Sequence, residues 1–159
     1  MSGFIFFLLG IYSVTQTAYG QCCPDGWVIF QGSCYYVGYE LSLTFIEAAH
    51  YCQQHHANLI TIESSLENSF VKDLLRKTRV DYVWIGLTDM DIEGVWCWYS
   101  NDQIAHYTDW YPNEPDSNSG NEDCAVFHAS SYKWRDYLCS RTYHPLCEMS
   151  IDTEPSVVG

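Results

Sequence analysis

The apolar positions change period several times along the chain, and each change marks an element. From Cys23-Pro-Asp-Gly-Trp27 to Cys34-Tyr35-Tyr36, aromatic-rich runs flank turn residues and predict a hairpin. Phe45, Ala49 and Cys52 recur at helical spacing behind Thr44 and Glu47, which are placed as a capping box, so a first helix is expected there. Ser64 and Glu67 repeat the signal, with Leu66, Phe70 and Leu74 as the stripe of a second helix. Tyr82 to Leu87 reads as a buried strand and Gly94 to Trp98 as another. From Tyr99 to about Asn121 periodicity is lost, leaving turn residues and aromatics. A structureless stretch of that length in a compact domain usually has a function. Strands resume around Cys124 to Phe127, Trp134 to Asp136 and Pro145 to Met149. Two helices, small antiparallel sheets and a long irregular loop region make the fold class α+β.

The N-terminus adds a compartment. Phe4 to Leu9 and on to Val14 form an apolar core, followed by polar Thr15, Gln16 and Thr17 and the small residues of Ala18-Tyr19-Gly20. That pattern predicts a secretory signal peptide over 1–20, a mature domain over 21–149 and a flexible tail over 150–159. The apolar run is too short to span a bilayer and no second one follows, so no membrane insertion is expected and the product should be extracellular. All eight cysteines fall after residue 20. An even count in a secreted chain reads as disulfides, whereas zinc would call for closely spaced Cys-x-x-Cys pairs that are absent. Counting alone leaves the pairing open.

Charge narrows the partners. A formal net charge of −13 argues against nucleic acid and anionic membrane surfaces. Lys72, Arg76, Lys77 and Arg79 are four of only seven basic residues, so the chain beyond them is more acidic still. There Glu114, Asp116, Glu122 and Asp123 crowd one stretch that Pro115 and Gly120 keep irregular, with Asp136 following. Clustered like charges repel unless a cation sits among them, and calcium, wanting roughly six to eight oxygen ligands, suits carboxylates mixed with carbonyls. A solvated acidic loop is the plainer alternative. His50, His55 and His56 are expected on the first helix's exposed surface rather than around zinc. No enzyme is expected. The cysteines are committed to bridges, and a calcium-filled loop leaves no carboxyl with the raised pKa a general acid needs.

Taken together, Trp84-Ile85-Gly86-Leu87, Asp89, Glu93-Gly94, Trp96, Trp98, Glu114-Pro115-Asp116, Glu122-Asp123-Cys124, Trp134-Arg135-Asp136 and Cys139 resemble the C-type lectin domain, in order and over nearly all of Cys23 to Cys147. The resemblance implies a disulfide-stapled C-type lectin fold with bridges Cys23–Cys34, Cys52–Cys147 and Cys124–Cys139. Cys22 and Cys97 are left to pair within the chain or between chains. It also implies a calcium ion at Glu114, Asp116, Glu122 and Asp136, with Asp123 adjoining and Arg135 at the fifth ligand position. Glu114, Asp116, Glu122 and Arg135 would face the sugar. Asp89, Glu93 and Asp123 match an auxiliary metal site.

Two positions depart from the family pattern. Glu-Pro-Asp replaces the Glu-Pro-Asn of mannose binders and the Gln-Pro-Asp of galactose binders, and Trp-Arg-Asp replaces Trp-Asn-Asp. Arginine has no acceptor to offer an ion. Its positive charge nevertheless cancels the extra carboxylate of Asp116, so a divalent ion meets about the same field. Arg135 either directs its donors at the sugar or Glu114, or bridges the carboxylates and fills the site itself. The expected function is calcium-dependent carbohydrate binding with a lean to mannose-type hydroxyls, in glycan or microbial-surface recognition. Oligomerisation would supply avidity. The alternative is a calcium-independent domain binding protein or mineral through its acidic face.

Overall fold

The computed structural model describes residues 23–118 and 120–151. The expected signal peptide, Cys22 and most of the expected tail lie outside them. Among the described residues no helix is long and apolar enough to cross a membrane.

The N-terminal hairpin forms as expected, from β1 (Val28–Phe30) and β2 (Ser33–Val37). Helix α1 (Phe45–Gln54) opens on a complete capping box: the Glu47 amide donates to the Thr44 hydroxyl and the Glu47 carboxylate accepts from the Thr44 amide. A two-residue strand, β3 (Asn58–Leu59), leads to α2 (Ser65–Lys77). Ser64 caps α2, but here the reciprocal half is missing. The Glu67 carboxylate accepts from the Glu63 amide and from the Tyr35 hydroxyl instead. The buried stripe of α2 is Asn68, Val71, Leu74 and Leu75, which corrects the expected one. Leu66 is exposed and Phe70 only partly covered, stacked on Phe30, so of the expected positions Leu74 alone is buried.

Strand β4 (Tyr82–Thr88) is the spine of the molecule. Val83, Ile85 and Leu87 face one apolar cluster with Val71, Leu74, Leu75 and Trp134, whereas Trp84 faces a second with Phe45, Ala48, Ala49 and Cys52. Burial on both faces is why the strand reads as an unbroken apolar run. Gly86 is forced at its centre: a Cβ there would stand 2.8 Å from the Leu59 carbonyl oxygen. The expected strand over Gly94 to Trp98 shortens to β5 (Cys97–Trp98), paired with β6 (Gln103–Ile104) inside the stretch expected to lack structure.

β7 (Cys124–His128), β8 (Lys133–Tyr137) and β9 (His144–Ser150) complete the fold. The main path runs β1-β2-β9-β4-β5-β6, with β7 joining β4 to β8. β9 pairs antiparallel with β2 and parallel with β4, so it ties the chain's two ends together. The three implied bridges are formed. Each constrains the unfolded chain by roughly 2–4 kcal/mol, which offsets the modest share of regular structure. Cys97 is in no bridge among the described residues.

Candidate functional site

The long loop is seated by its own backbone against β8. Trp134 donates its amide to the Asp109 carbonyl (3.0 Å), and its carbonyl accepts the Tyr111 amide (2.8 Å). The Trp134 ring is fully buried and its indole N–H donates to Asn68 on α2. Asp109 anchors the same segment through side chains, accepting from Lys72 (2.9 Å), Asn68 (2.7 Å) and Lys133. Burial alone would raise the Asp109 carboxyl, but these donors outweigh it and hold it below its ordinary value. Sequence reasoning missed this anchor, since a lone Asp among Tyr107, Trp110 and Tyr111 carries no periodic signal.

Two residues past Trp134 on the same strand face, Asp136 is buried to 3% exposure and organises the loop tip. Its carboxylate accepts the amides of Asp116 (3.3 Å) and Ser117 (2.7 Å). Ser117 takes φ 44°, a left-handed conformation unfavourable for a non-glycine residue, and its bond to Asp136 helps to offset that. The Glu114–Pro115 peptide is cis. Carboxylate oxygens of Glu114, Asp116 and Asp136 lie within 4.8 Å of one another. Burial first, then the Asp136 and Asp116 carboxylates, push the Glu114 carboxyl up to about 8. One Glu114 oxygen, Oε2, is buried without a hydrogen-bond partner.

The other expected ligands sit around this trio. The Asn118 amide donates to both Asp116 (3.1 Å) and Glu122 (2.9 Å), which places Glu122 alongside. The Glu122 carboxyl is raised by partial burial, with Asp136 and Asp116 adding to the shift. Asp123 turns its backbone inward, its carbonyl accepting from the Thr88 hydroxyl (2.6 Å) and the Asp89 amide (3.2 Å). Asp89 is buried, accepts the Gly94 amide at 2.8 Å and leaves Oδ1 unpartnered. Its carboxyl is raised by burial and then by Glu93 and Asp123, so those three lie within electrostatic reach, though outside the tight trio.

Arg135 does not bridge the carboxylates. Its guanidinium lies over the Tyr111 ring, Cζ 4.1 Å from the centroid, and it makes no ion pair among the described residues. Tyr111 is the second functional residue the sequence did not reveal. The histidines of the first helix and its C-cap, His50, His55 and His56, are exposed as expected.

The donor set fits a hard cation. It offers carboxylates in crowded, partly buried positions, one of them with an orphaned oxygen, and among the described residues no Lys or Arg forms an ion pair with them.

Comparison with known proteins identifies this architecture. The family model of the lectin C-type domain matches residues 41–149, and the chain belongs to that family. Solved structures it superposes on include domains described as carbohydrate-recognition domains. It is 38% identical over 138 residues to human C-type lectin domain family 10 member A, covering 83% of this chain and 42% of that protein. It is 32% identical over 146 residues to a perlucin-like protein of Mytilus galloprovincialis, covering 86% and 87%. The chain thus spans less than half of the longer relatives. Among solved structures, the mouse scavenger receptor C-type lectin carbohydrate-recognition domain superposes with a TM-score of 0.75 at 30% identity, over 82% of this chain and all of that one. The cow CD23 carbohydrate-recognition domain, determined in the presence of a GlcNAc2Man3 oligosaccharide, gives 0.72 at 34% identity over 81% and 96%.

Proposed function

We propose that this chain is a secreted lectin that recognises sugar hydroxyls through a calcium ion held by Glu114, Asp116 and Asp136, with Glu122 completing the rim. The observation that carries this reading is the unpartnered, buried Glu114 Oε2 beside two further carboxylates. A calcium ion bound there supplies positive charge that carboxylates lack and accepts the oxygens of neighbouring hydroxyls. Asp136 fixes the loop tip through the Asp116 and Ser117 amides, so the chain itself holds the acidic rim in register. Glu114, Asp116 and Glu122 accept hydrogen bonds from sugar hydroxyls, and Arg135, in no ion pair among the described residues, supplies donors. The oligosaccharide present with the CD23 relative supports a glycan partner and the lean to mannose-type hydroxyls. Asp89, Glu93 and Asp123 form an auxiliary cation site, for which the orphaned Asp89 Oδ1 is the supporting feature. Residues 1–20 act as the signal peptide, 21–149 as the domain and 150–159 as a tail, and self-association supplies avidity.

Retention on a mannose column in calcium and elution by EDTA tests the reading, together with a calcium-dependent rise in melting temperature. A Glu122→Gln, Asp136→Asn variant should lose both. The net charge of −13 favours a second reading, calcium-independent adsorption to basic protein or mineral. Absence of any thermal response to calcium would sink the lectin reading in its favour.

A further inference from the structure

A cavity of about 380 Å³ opens where three separate segments meet: Tyr39 after β2, Lys77 to Val80 at the end of α2, and His144 at the start of β9. Its basic lining residues are Lys77, Arg79 and His144, and no carboxylate lines it. The contrast with the rest of the molecule is sharp, since the other three cavities described are each lined by at least one Asp or Glu. Neither Lys77 nor Arg79 makes an ion pair among the described residues. Lys77 alone has a plain explanation, because a cation in the last turn complements the helix dipole. Arg79 and His144 lie off the helix and have no such role. His144 uses Nδ1 on the Leu41 carbonyl, which leaves its other ring nitrogen available. Tyr39, 59% exposed, offers a ring face at the same opening.

We propose that this cavity is a calcium-independent binding site for a sulfated saccharide, Lys77 and Arg79 pairing with the sulfate while Tyr39 lies against the sugar ring. The volume is within the usual range for small-ligand pockets, roughly 300–1,000 Å³. Charge-assisted hydrogen bonds to an oxyanion are stronger than neutral ones. An anionic bilayer presents the same chemistry, but a broad negative surface repels a chain of net charge −13, whereas a single sulfated strand brings its charge into the basic cavity alone. None of these residues belongs to the loop carboxylates, so the site stands or falls independently of calcium.

The test is titration of calcium-stripped, desalted protein with a heparin tetrasaccharide, its fully desulfated counterpart, and vesicles containing phosphatidylserine. Binding of the sulfated sugar alone, weakening with added salt, is the expected result. Lys77→Gln with Arg79→Gln should weaken it by about tenfold or more. Arg76→Gln removes one positive charge next to Lys77 in sequence but outside the cavity, and should leave binding within about twofold. Melting temperatures of the variants show that each is folded. The site is overturned if the parent does not bind the sulfated sugar, if it binds the desulfated sugar equally, if it binds the vesicles instead, or if Arg76→Gln costs as much as the double variant.

Discussion

Arg135 rests its guanidinium over the Tyr111 ring, Cζ 4.1 Å from the centroid, and although its charge is felt at Glu114 it forms no ion pair there among the described residues. A cation resting on an aromatic face gains about 0.5–1 kcal/mol at an exposed site, more when desolvated. The Arg135 charge already reaches Glu114, so without the ring the carboxylates would draw it. Tyr111→Ala should therefore lower calcium affinity several-fold as Arg135 competes for the site, and Tyr111→Phe, which keeps the ring face, should not. Calorimetric titration checks both. Equal affinity in Tyr111→Ala and the parent would show that the stack does not guard the site.

Asp109 is the anchor of the loop, with Lys72, Lys133 and Asn68 converging on it. Asp109→Asn keeps the shape but removes the charge that satisfies two lysines, and should destabilise by about 1–2 kcal/mol. Because the lysines are partly solvated, the loss stays below that of a fully buried pair. Urea denaturation measures it. Sugar or calcium binding should weaken in parallel, since the segment seated by Asp109 leads directly to Glu114. A variant as stable as the parent would assign the seating of the loop to Trp134 alone.

Much of this fold was legible because its signals are local. Thr44 and Glu47 form the box their spacing suggested, and the Trp84-Ile85-Gly86-Leu87 run sits on the central strand with Gly86 pressed on the Leu59 carbonyl. The stripe of α2 was misjudged because Leu66 and Phe70 are as apolar as Val71 and Leu75. Choosing between the two sets depends on which face the sheet covers, and that is tertiary information. The carboxylates of the loop could be named from the sequence, but Tyr111 and Asp109 could not. Their roles come from a backbone seated on Trp134, far along the chain, and no residue type or spacing records such a contact.

A second acidic group makes stability depend on pH. Tyr35 donates to Glu67 (2.9 Å) and, at 3.4 Å, to Glu148. Burial is the main force raising both carboxyls above the ordinary 4.5, with the Glu148 charge adding to the shift of Glu67. A raised carboxyl means that the folded chain holds its proton more tightly than the unfolded one. The stability it contributes is full below 4.5 and is lost as pH rises through the folded values. In calcium-free buffer the melting temperature should therefore fall as pH is raised from about 4.5. Glu148→Gln, whose amide oxygen still accepts the Thr61 amide, should flatten that slope and melt higher than the parent at alkaline pH. An unchanged slope in the variant would show that other groups set it.

In the proposed sugar site, specificity is expected to turn on Asp116. In the structure its Oδ1 accepts the Asn118 amide at 3.1 Å, an interaction that an asparagine side-chain oxygen reproduces. Asp116→Asn thus keeps the loop contact and converts the remaining oxygen into an NH2 donor. In the proposed site the rim of Glu114, Asp116 and Glu122 consists of acceptors, so both hydroxyls of a bound sugar would donate to it unless Arg135 supplies the donor, and discrimination between sugars would be shallow. With a donor at position 116, one hydroxyl can accept while its neighbour donates, the asymmetry that Glu-Pro-Asn supplies in mannose-type members of the family. Removing one carboxylate also lowers the crowding that raises the Glu114 carboxyl, at the expense of one negative charge toward the cation. The expected outcome is a sharper preference for mannose over galactose on a glycan array, by about tenfold for one added hydrogen bond, with somewhat weaker calcium binding. Strict galactose selectivity in the parent, or an unaltered profile in Asp116→Asn, would contradict this account of the rim.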